Sequence, residues 1–335
     1  MIILTLREIG ERKLVERMIK LFEPMPNAPM EFWDDASGVN IDGGKVAILQ
    51  TDMLVWETDV PPGMTFRQAG RKAVVMSVSD LAAKGVQPIA ILPSLGLPKN
   101  LKTEEAEEIA RGLNQGAREY GAWIIGGDTN EAKDIIINCT AFGICERGKI
   151  MKRSGAKPGD ILATTGEFGK TAAGLKILLE EIPVQEKLRK TLIQSVLMPK
   201  ARLREGIALA QTGAVTASID SSDGLAMSLH DLSRSSGVGF TIEKLPTAEE
   251  AKKFAETQNM NPEQLTLYGG EEYELVFTVK PQLIEEVKKA LKKVGTQLIE
   301  IGHATKERRI ILKTEEEEKP IPPKGWNHFT KTNPQ

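Results

Sequence analysis

Two aspartates stand three residues apart in the stretch SIDSSDGL, residues 218–225. Asp220 directly follows the β-like run VTASI, and Asp223 precedes the next apolar segment. An unpaired carboxylate beside apolar segments is costly, so each needs a partner. If Ser222 or Asp223 caps a helix that begins at Leu225, one carboxylate is explained and Asp220 is not. The alternative is a cation that both aspartates bind.

Asp80 lies in a predicted helix, RQAGRKAVVMSVSDLAAKG, which is apolar nearly all round. Such a helix is buried, and a carboxylate on it requires an ion pair, a hydrogen-bond network or a metal ion. Lys84, four residues further on, is one possible partner. A metal ion is the other.

Three further positions place acidic or hydroxyl side chains at the ends of predicted elements. Adjacent residues on an extended chain point in opposite directions, so only one member of an acidic pair is expected to reach a given site. Alternative interpretations are an Asx turn or a tight turn, although strand ends also commonly carry functional groups. The positions are Asp34–Asp35 in FWDDASG, Thr51–Asp52 after VAIL, and Gly127–Asp128 after WIIG.

The candidate set contains oxygen donors and no histidine apart from the nearby His230. Oxygen-only ligand sets suit Mg²⁺ or Ca²⁺ rather than Zn²⁺. Several aspartates around Mg²⁺ without a histidine base indicate phosphoryl transfer, in which positioning and charge neutralisation do most of the work.

A second phosphate-binding pattern is incomplete. The stretch DILATTGEFGKTAAGL resembles a strand, a Gly-Lys-Thr loop and a helix, but Thr164 stands where a Walker A loop requires glycine. Without that glycine the backbone does not readily wrap a phosphate. We therefore predict a tight turn with Lys170 at the start of a helix.

The elements that must position these residues fall into two groups. A length of 335 residues predicts two domains, which we place at 1–148 and 149–335. Each mixes helices and strands without strict βαβ alternation, so the predicted class is α+β, and AWIIGGD is predicted to pair with DIIINCTAFGIC as a hairpin.

Composition excludes several classes of protein. A net charge near −2 gives no basic field for nucleic acid, and no apolar run approaches a membrane span. The N-terminus carries no secretory segment, so we expect a cytoplasmic protein. The two cysteines, Cys139 and Cys145, are predicted to be buried free thiols.

Eight short motifs occur in an order that resembles the thiamine-monophosphate kinase family, of the aminoimidazole-ribonucleotide synthetase (PurM-like) superfamily. The resemblance covers roughly residues 30 to 330. It implies an α/β N-terminal domain that pairs with its twin in a homodimer, and an α+β C-terminal domain. ATP and Mg²⁺ would lie in the cleft between the domains. The motifs are DDAS, TDML, SVSDLAAKG, GGDT, KRSGAKPGD, SIDSSDGL, GGEEYELVFTV and GWNHF.

The resemblance also implies roles for individual residues in transferring phosphate from ATP to thiamine monophosphate. The chain departs from the family pattern at Gln50, where serine is common, and at Asp59, where bacterial members often carry histidine near the substrate. The implied Mg²⁺ ligands are Asp35, Thr51, Asp52, Asp80, Asp128, Asp220 and Asp223; the implied ATP contacts are Gly127, Asp128, Arg153 and Ser222; the implied substrate contacts are Asp59, Glu271 and Trp326.

Two rival functions follow from the same superfamily and from a different class. Another ATP-using synthetase, such as aminoimidazole-ribonucleotide synthetase, would share the fold, but GGEEYELVFTV and GWNHF favour the kinase. Selenophosphate synthetase and the hydrogenase-maturation member need an N-terminal and a C-terminal cysteine respectively, which this chain lacks. A protein that only binds nucleotide or thiamine phosphate would form no ADP.

Overall fold

The computed structural model describes residues 5–315 and 317–329. Its first half is one mixed sheet with the strand order β1-β2-β6-β3-β4, to which β5 adds by pairing with β3. Two long helices cover one face of this sheet. The elements of this half are α1 (Leu6–Ile19), β1 (Ser37–Ile41), β2 (Lys45–Val55), α2 (Trp56–Asp59), α3 (Phe66–Ala83), β3 (Pro88–Leu97), α4 (Thr103–Glu119), β4 (Trp123–Ile124), β5 (Asp128–Glu131) and β6 (Ile136–Glu146).

The predicted hairpin in this half is wrong. Strand β4 pairs in parallel with β3, whereas β6 lies between β2 and β3 and is antiparallel to both. Strand β6 is as long as β2 and pairs with it from Lys45–Glu146 to Val55–Ile136. A two-residue β4 cannot compete with that ladder, because each added pair contributes its own hydrogen bonds and side-chain contacts.

Helix α3 is the central element, as its apolar sequence predicts. Thr65 and Gln68 form a capping box at its start, and Gly85 follows its end in the left-handed conformation. Helix α4 packs on it at backbone contact distance: a Cβ atom built at Gly112 would lie 2.0 Å from the carbonyl oxygen of Arg67. The polar residues of α3 are therefore held in fixed places inside the protein.

The second half is a seven-stranded sheet with the order β13-β12-β9-β11-β7-β10-β8 and helices packed against it. Both halves thus combine helices and sheets, and the predicted α+β class is confirmed. The elements are β7 (Ile161–Thr164), α5 (Lys170–Glu180), α6 (Glu186–Leu197), α7 (Leu203–Thr212), β8 (Val215–Asp220), α8 (Leu225–Ser236), β9 (Gly239–Ile242), α9 (Glu249–Thr257), α10 (Pro262–Tyr268), β10 (Leu275–Val279), α11 (Ile284–Lys293), β11 (Ile299–Thr305), β12 (Ile310–Lys313) and β13 (Glu318–Pro320).

The two sheets share no strand. Strand β6 ends at Glu146 and β7 begins at Ile161, so the predicted domain boundary at 148/149 falls in the connection between them. The boundary itself stays a prediction. Cys139 and Cys145 are free thiols on β6, as predicted, but only Cys139 is buried, whereas Cys145 is half-buried. Among the described residues, no helix combines the length and the apolar character needed to span a membrane.

Candidate active site

Three of the predicted carboxylates converge at the junction of the two sheets. Asp80 lies on the last turn of α3, Asp220 ends β8, and Asp35 precedes β1. One oxygen from each lies within 4.8 Å of the others. Asp52 faces the same interior from β2, since its strand partner is the buried Cys139. The aspartates that the sequence predicted to act together therefore lie close together in the structure.

Most carboxylates at this junction have hydrogen-bond partners but no cationic partner within the described chain. The amide of Gln50 donates to Asp80, and the Ser79 hydroxyl donates to Asp220 over 2.7 Å. Among the described residues, Asp52, Asp80 and Asp220 form no ion pair within 4.0 Å. The buried Oε1 atom of Gln50 also has no hydrogen-bond partner there.

Lys84 does not pair with Asp80. Its fully buried ammonium lies 2.5 Å from Asp34 Oδ1 and 2.6 Å from Asp35 Oδ2, and it also donates to the carbonyl oxygen of Ser218. Both aspartates therefore reach one cation, and the expectation that only one would reach a given site is wrong. The chain bends at this point, so the alternation of an extended strand does not apply. The alternative interpretation of Asp80, an ion pair with Lys84, is therefore wrong.

Arg153 reaches the same cluster from the connection between the sheets. Its Nε donates to Asp35 Oδ1 over 2.6 Å and its Nη1 donates to the carbonyl oxygen of Trp33 over 2.9 Å. The predicted ATP contact is thus adjacent to the carboxylates. Together with Lys84 it balances Asp34 and Asp35, and leaves the charge of the other aspartates uncompensated.

The titration of these carboxyls reflects that imbalance. Burial, reinforced by neighbouring aspartate charges, raises the pKa of Asp52 to about 7 and that of Asp220 to about 6. Burial and the charge of Asp220 raise the pKa of Asp80 well above its usual value. Burial and the charge of Glu11 raise the pKa of Asp223 to about 7. A cation at this place would reverse all four shifts.

Asp223 does not cap a helix. Helix α8 begins at Leu225, and its N-cap residue is Gly224, which has no side chain to accept a hydrogen bond. Asp223 instead faces the cavity, 3.9 Å from the guanidinium of Arg12. That guanidinium makes two hydrogen bonds, of 2.7 and 2.9 Å, to Asp231 and holds the pKa of Asp231 below its usual value although Asp231 is buried. The capping explanation for SIDSSDGL is therefore wrong.

Two other predicted ligands, Thr51 and Asp128, lie outside the cluster. The Thr51 hydroxyl faces the opposite side of β2 from Asp52 and donates to Asn138 over 3.0 Å. Asp128 is exposed and shares this outward face, because Met53, Asn138, Ser94 and Asp128 are successive cross-strand partners.

Gly127 lies next to Asp128, outside the cluster. A Cβ atom built on Gly127 would lie 2.5 Å from the carbonyl oxygen of Pro93. The close backbone approach that this glycine permits is therefore to the neighbouring strand β3.

A cavity of about 1140 Å³ opens beside Asp52 and Asp223. Trp326, Glu271 and Asp59, the residues predicted to contact substrate, all line it, as does Ser222. The Trp326 amide donates to the carbonyl oxygen of Asp223, which places the C-terminal indole next to the aspartates.

Asp59 has a structural role as well as a place in the cavity wall. Its Oδ2 accepts a hydrogen bond from the Val55 amide over 2.7 Å and so closes the short helix α2. One of its two carboxylate oxygens is therefore committed to the backbone.

The Gly-Lys-Thr turn does not form an open phosphate site. The amides of Gly169 and Thr171, at the start of α5, both donate to Oε1 of Glu272, over 2.6 and 3.0 Å. A carboxylate of the same chain thus occupies the anion position that a helix N-terminus offers. The predicted tight turn with Lys170 at the first helical position is confirmed.

The carboxylate cluster fits a hard divalent cation. Its donors are all oxygen atoms, and Asp80 and Asp220 have no ion-pair partner in the described chain. A buried amide oxygen beside them also has no hydrogen-bond partner there. Mg²⁺ prefers carboxylate and other oxygen ligands. Asp35, Asp80 and Asp220 are the residues that would hold it.

The sequence analysis missed two buried or half-buried cations near the site, Lys72 and Arg12, and it gave Lys84 the wrong partner. Lys72 lies on the apolar helix that drew attention to Asp80, and Lys84 directly follows it. The same argument applies to both, because a buried ammonium also needs partners. Arg12 carried no such signal, since α1 is mostly exposed.

The chain is similar to proteins of known family over most of its length. Residues 33–145 match the family model described as AIR synthase related protein, N-terminal domain, and residues 157–315 match its C-terminal domain. The thiamine-monophosphate kinase of Nitrosopumilus maritimus is 39% identical over 282 residues, which cover 84% of this chain and 89% of that protein. The thiamine-monophosphate kinase of Pyrococcus horikoshii is 39% identical over 301 residues, 88% and 90% of the two chains.

A solved structure supports the same relationship. AaThiL complexed with AMPPCP and TMP superposes with a TM-score of 0.85 at 30% identity, and the match covers 98% of this chain and 100% of that one. The two sheets and the helices packed against them are therefore a shared fold. The chain belongs to the thiamine-monophosphate kinase family of AIR synthase related proteins.

Proposed function

We propose that this enzyme transfers the γ-phosphoryl group of ATP directly to thiamine monophosphate, giving ADP and thiamine diphosphate. The observation that carries the proposal is the carboxylate cluster, with the unpaired charges of Asp80 and Asp220, beside a cavity of about 1140 Å³. The kinase relatives and the AaThiL complex support the choice of substrates.

The reaction needs no general base. A phosphate oxygen of thiamine monophosphate attacks the γ-phosphorus, and the bond to the bridging β,γ-oxygen breaks, so the electron pair leaves with ADP. The second pKa of a phosphate monoester is about 6, so the attacking oxygen is mostly ionised at neutral pH. This agrees with a cluster that contains no histidine among its described members.

The chain's own residues bind and orient the two anions. Asp35, Asp80 and Asp220 would hold Mg²⁺, which neutralises and orients a polyphosphate when bound. Arg153 supports the cluster by fixing Asp35, and its side chain is 18% exposed, which leaves it able to meet a phosphate. Asp52 and Asp223 connect the cluster to the cavity wall.

The substrate ring would lie in the cavity against Trp326. Thiamine has a permanently charged thiazolium beside a flat aminopyrimidine, and an indole face attracts a cation. Glu271 adds negative charge on the same wall. The role of Asp59 as a substrate contact stays a prediction, because its carboxylate already accepts a backbone hydrogen bond.

The enzyme acts as a homodimer in this proposal. Apolar side chains are exposed on the outward face of the first sheet, where a soluble monomer would carry polar ones. The residues predicted to bind metal and ATP away from the cluster, Thr51 and Asp128, lie on that face. The exposed apolar residues are Leu49, Met53, Ile89, Leu92, Trp123, Ile125 and Ile144.

We assign the ligand roles of Thr51, Gly127 and Asp128 to the assembled dimer, in which the partner's sheet covers this face. The predicted cytoplasmic location is retained as part of the proposal.

The proposal is tested by incubating the purified protein with ATP, Mg²⁺ and thiamine monophosphate. We expect ADP and thiamine diphosphate in equal amounts, and no product when EDTA is in excess. ADP without thiamine diphosphate would point to another ATP-using synthetase. A rise in melting temperature on adding both ligands, with no ADP formed, would identify a binding protein instead.

A further inference from the structure

Lys72 is a fully buried lysine on α3, and its side chain contacts residues of the cavity wall on the side away from the cavity. Its Nζ lies 2.5 Å from Glu271 Oε1 and donates to the backbone oxygen of Asp59 over 2.7 Å. Both partners line the cavity, whereas Lys72 does not. Lys72 therefore connects two parts of the wall, one from each half of the chain, without touching what the cavity would hold.

Stability alone is a weak reason for this arrangement. Removing an ammonium from water is costly, and well-packed apolar residues often replace a buried ion pair with no loss of stability. A methionine of similar length would fill the same space at α3. We therefore look for the role of Lys72 in the positions at which it holds Glu271 and Asp59.

The partner loop is held in an unfavourable backbone conformation. Glu271 has φ of 62° and Tyr273 has φ of 54°, in the left-handed region that residues other than glycine rarely occupy. Such residues persist only when surrounding contacts hold them there. Two backbone hydrogen bonds do so, from the Glu271 amide to Ser222 and from the Tyr273 amide to Ser221. Lys72 is the contact that fixes the side chain of Glu271.

Helix α3 carries this contact into register with the metal cluster. Lys72 and Asp80 are eight residues apart, about 12 Å along a helix axis. Met76, between them, lines the cavity. Because α3 is buried and packed at backbone distance against α4, the separation between Lys72 and Asp80 is fixed.

We propose that Lys72 is a positioning residue that holds Glu271 and the Asp59 end of α2 at a set distance from the carboxylate cluster. This inference rests on the proposed function. Through it, the helix that presents Asp80 also sets where the ring end of thiamine monophosphate sits. The attacking phosphate is then aligned with the γ-phosphorus from both ends.

The test compares Lys72→Met with Arg71→Met in the full-length enzyme. Arg71 is the adjacent buried cation, but it pairs with Glu119 and the carbonyl oxygen of Pro199, away from the cavity. We expect Lys72→Met to raise the KM for thiamine monophosphate about tenfold and to leave the KM for ATP within about twofold, because the loop populates its competent conformation less often. Arg71→Met should lower the melting temperature without changing either KM.

Coupling between the partners provides the second measurement. Glu271→Gln alone should raise the same KM, and the double variant should lose less than the sum of the two single changes, since both break one interaction. The double variant leaves no unpaired buried charge, so it is measured even if Lys72→Met alone does not fold.

Additive effects of the two changes on KM would overturn the proposal, as would an unchanged KM in Lys72→Met with wild-type turnover. If the wild-type enzyme forms no thiamine diphosphate, the proposed function fails and this inference fails with it. The two failures are therefore distinguished by the wild-type assay.

Discussion

Asp80 combines three properties at the scale of a single residue: it is packed inside the protein, it faces Asp35 and Asp220, and it has no ion-pair partner in the described chain. Burial, reinforced by repulsion among such carboxylates, raises their pKa and destabilises the ionised cluster. Catalysis and stability of the metal-free protein therefore make opposite demands on this residue.

We expect Asp80→Asn to abolish turnover while the melting temperature without metal stays equal or rises, because one buried charge is removed. Activity is followed by ADP release, and stability by calorimetry in EDTA. Asp42→Asn, the same change at an exposed turn between β1 and β2, is the control and should alter neither. Near-wild-type rates for Asp80→Asn at low Mg²⁺ would refute the metal assignment.

Trp326 lies at the edge of the cavity with its ring perpendicular to that of His328, at a centroid distance of 5.6 Å. A cation over an indole contributes about 0.5–2 kcal/mol. We expect Trp326→Ala to raise the KM for thiamine monophosphate about tenfold, which corresponds to about 1.4 kcal/mol. ATP affinity and the melting temperature should hardly change.

Phe329→Ala, an exposed aromatic in the same tail, is the matched control for that experiment. If Trp326→Ala instead melts much earlier and keeps its KM, the indole is a packing residue and the ring of the substrate must bind elsewhere.

At the scale of elements, strongly patterned segments were predictable and context-dependent ones were not. The apolar run of α3 was readable because local sequence determines it. The pairing of β4 was not, since a two-residue strand takes its partner from the rest of the sheet.

The site shows the same division. Aspartates in apolar segments identified the cluster, because burying a charge is costly wherever the segment lies. The face on which Thr51 and Asp128 lie could not be inferred, since it depends on sheet register. The carboxylate partner of Lys72 lies roughly 200 residues away in sequence, and the nearer carboxylate partner of Lys84 lies 49 residues away. Only the folded chain brings these groups together.

Helix α5 allows a pH prediction at this scale. Burial raises the pKa of Glu272, which accepts from the first amides of α5, to about 7 from an ordinary value of 4.5. Between these pH values the folded protein binds more protons than the unfolded chain, so the free energy of unfolding falls as pH rises through this range. Glu272→Gln cannot titrate, and should lose less stability between pH 5 and pH 8 than the wild type.

Thermal unfolding at the two pH values checks this, with the exposed Glu256→Gln as the control that should follow the wild type. An equal loss of stability in Glu272→Gln would show that other groups govern the pH dependence.

At the scale of the whole molecule, the outward face of the first sheet governs assembly. Its exposed side chains include Trp123 and Ile125, which are 59% and 63% exposed. We expect Leu92→Lys, at the middle of this face, to shift the protein from dimer to monomer in light scattering and to lower turnover. A charge placed in an apolar interface must be desolvated without a partner.

Leu21→Lys changes an apolar residue that is 82% exposed and lies outside the sheet, and should leave the dimer intact. A wild-type protein that scatters as a monomer at micromolar concentration would rule out this assembly.

The buried cations of α3 also bear on how the protein is made. The ribosome releases α3 early, yet Arg71 needs the carbonyl oxygen of Pro199, Lys84 that of Ser218, and Lys72 the carboxylate of Glu271. At ordinary translation speeds the interval between Lys72 and Glu271 is about 10–40 s. During that time the nascent first half holds cations whose later partners do not yet exist. We therefore expect the packing around these cations to be completed only after residue 271 has been synthesised.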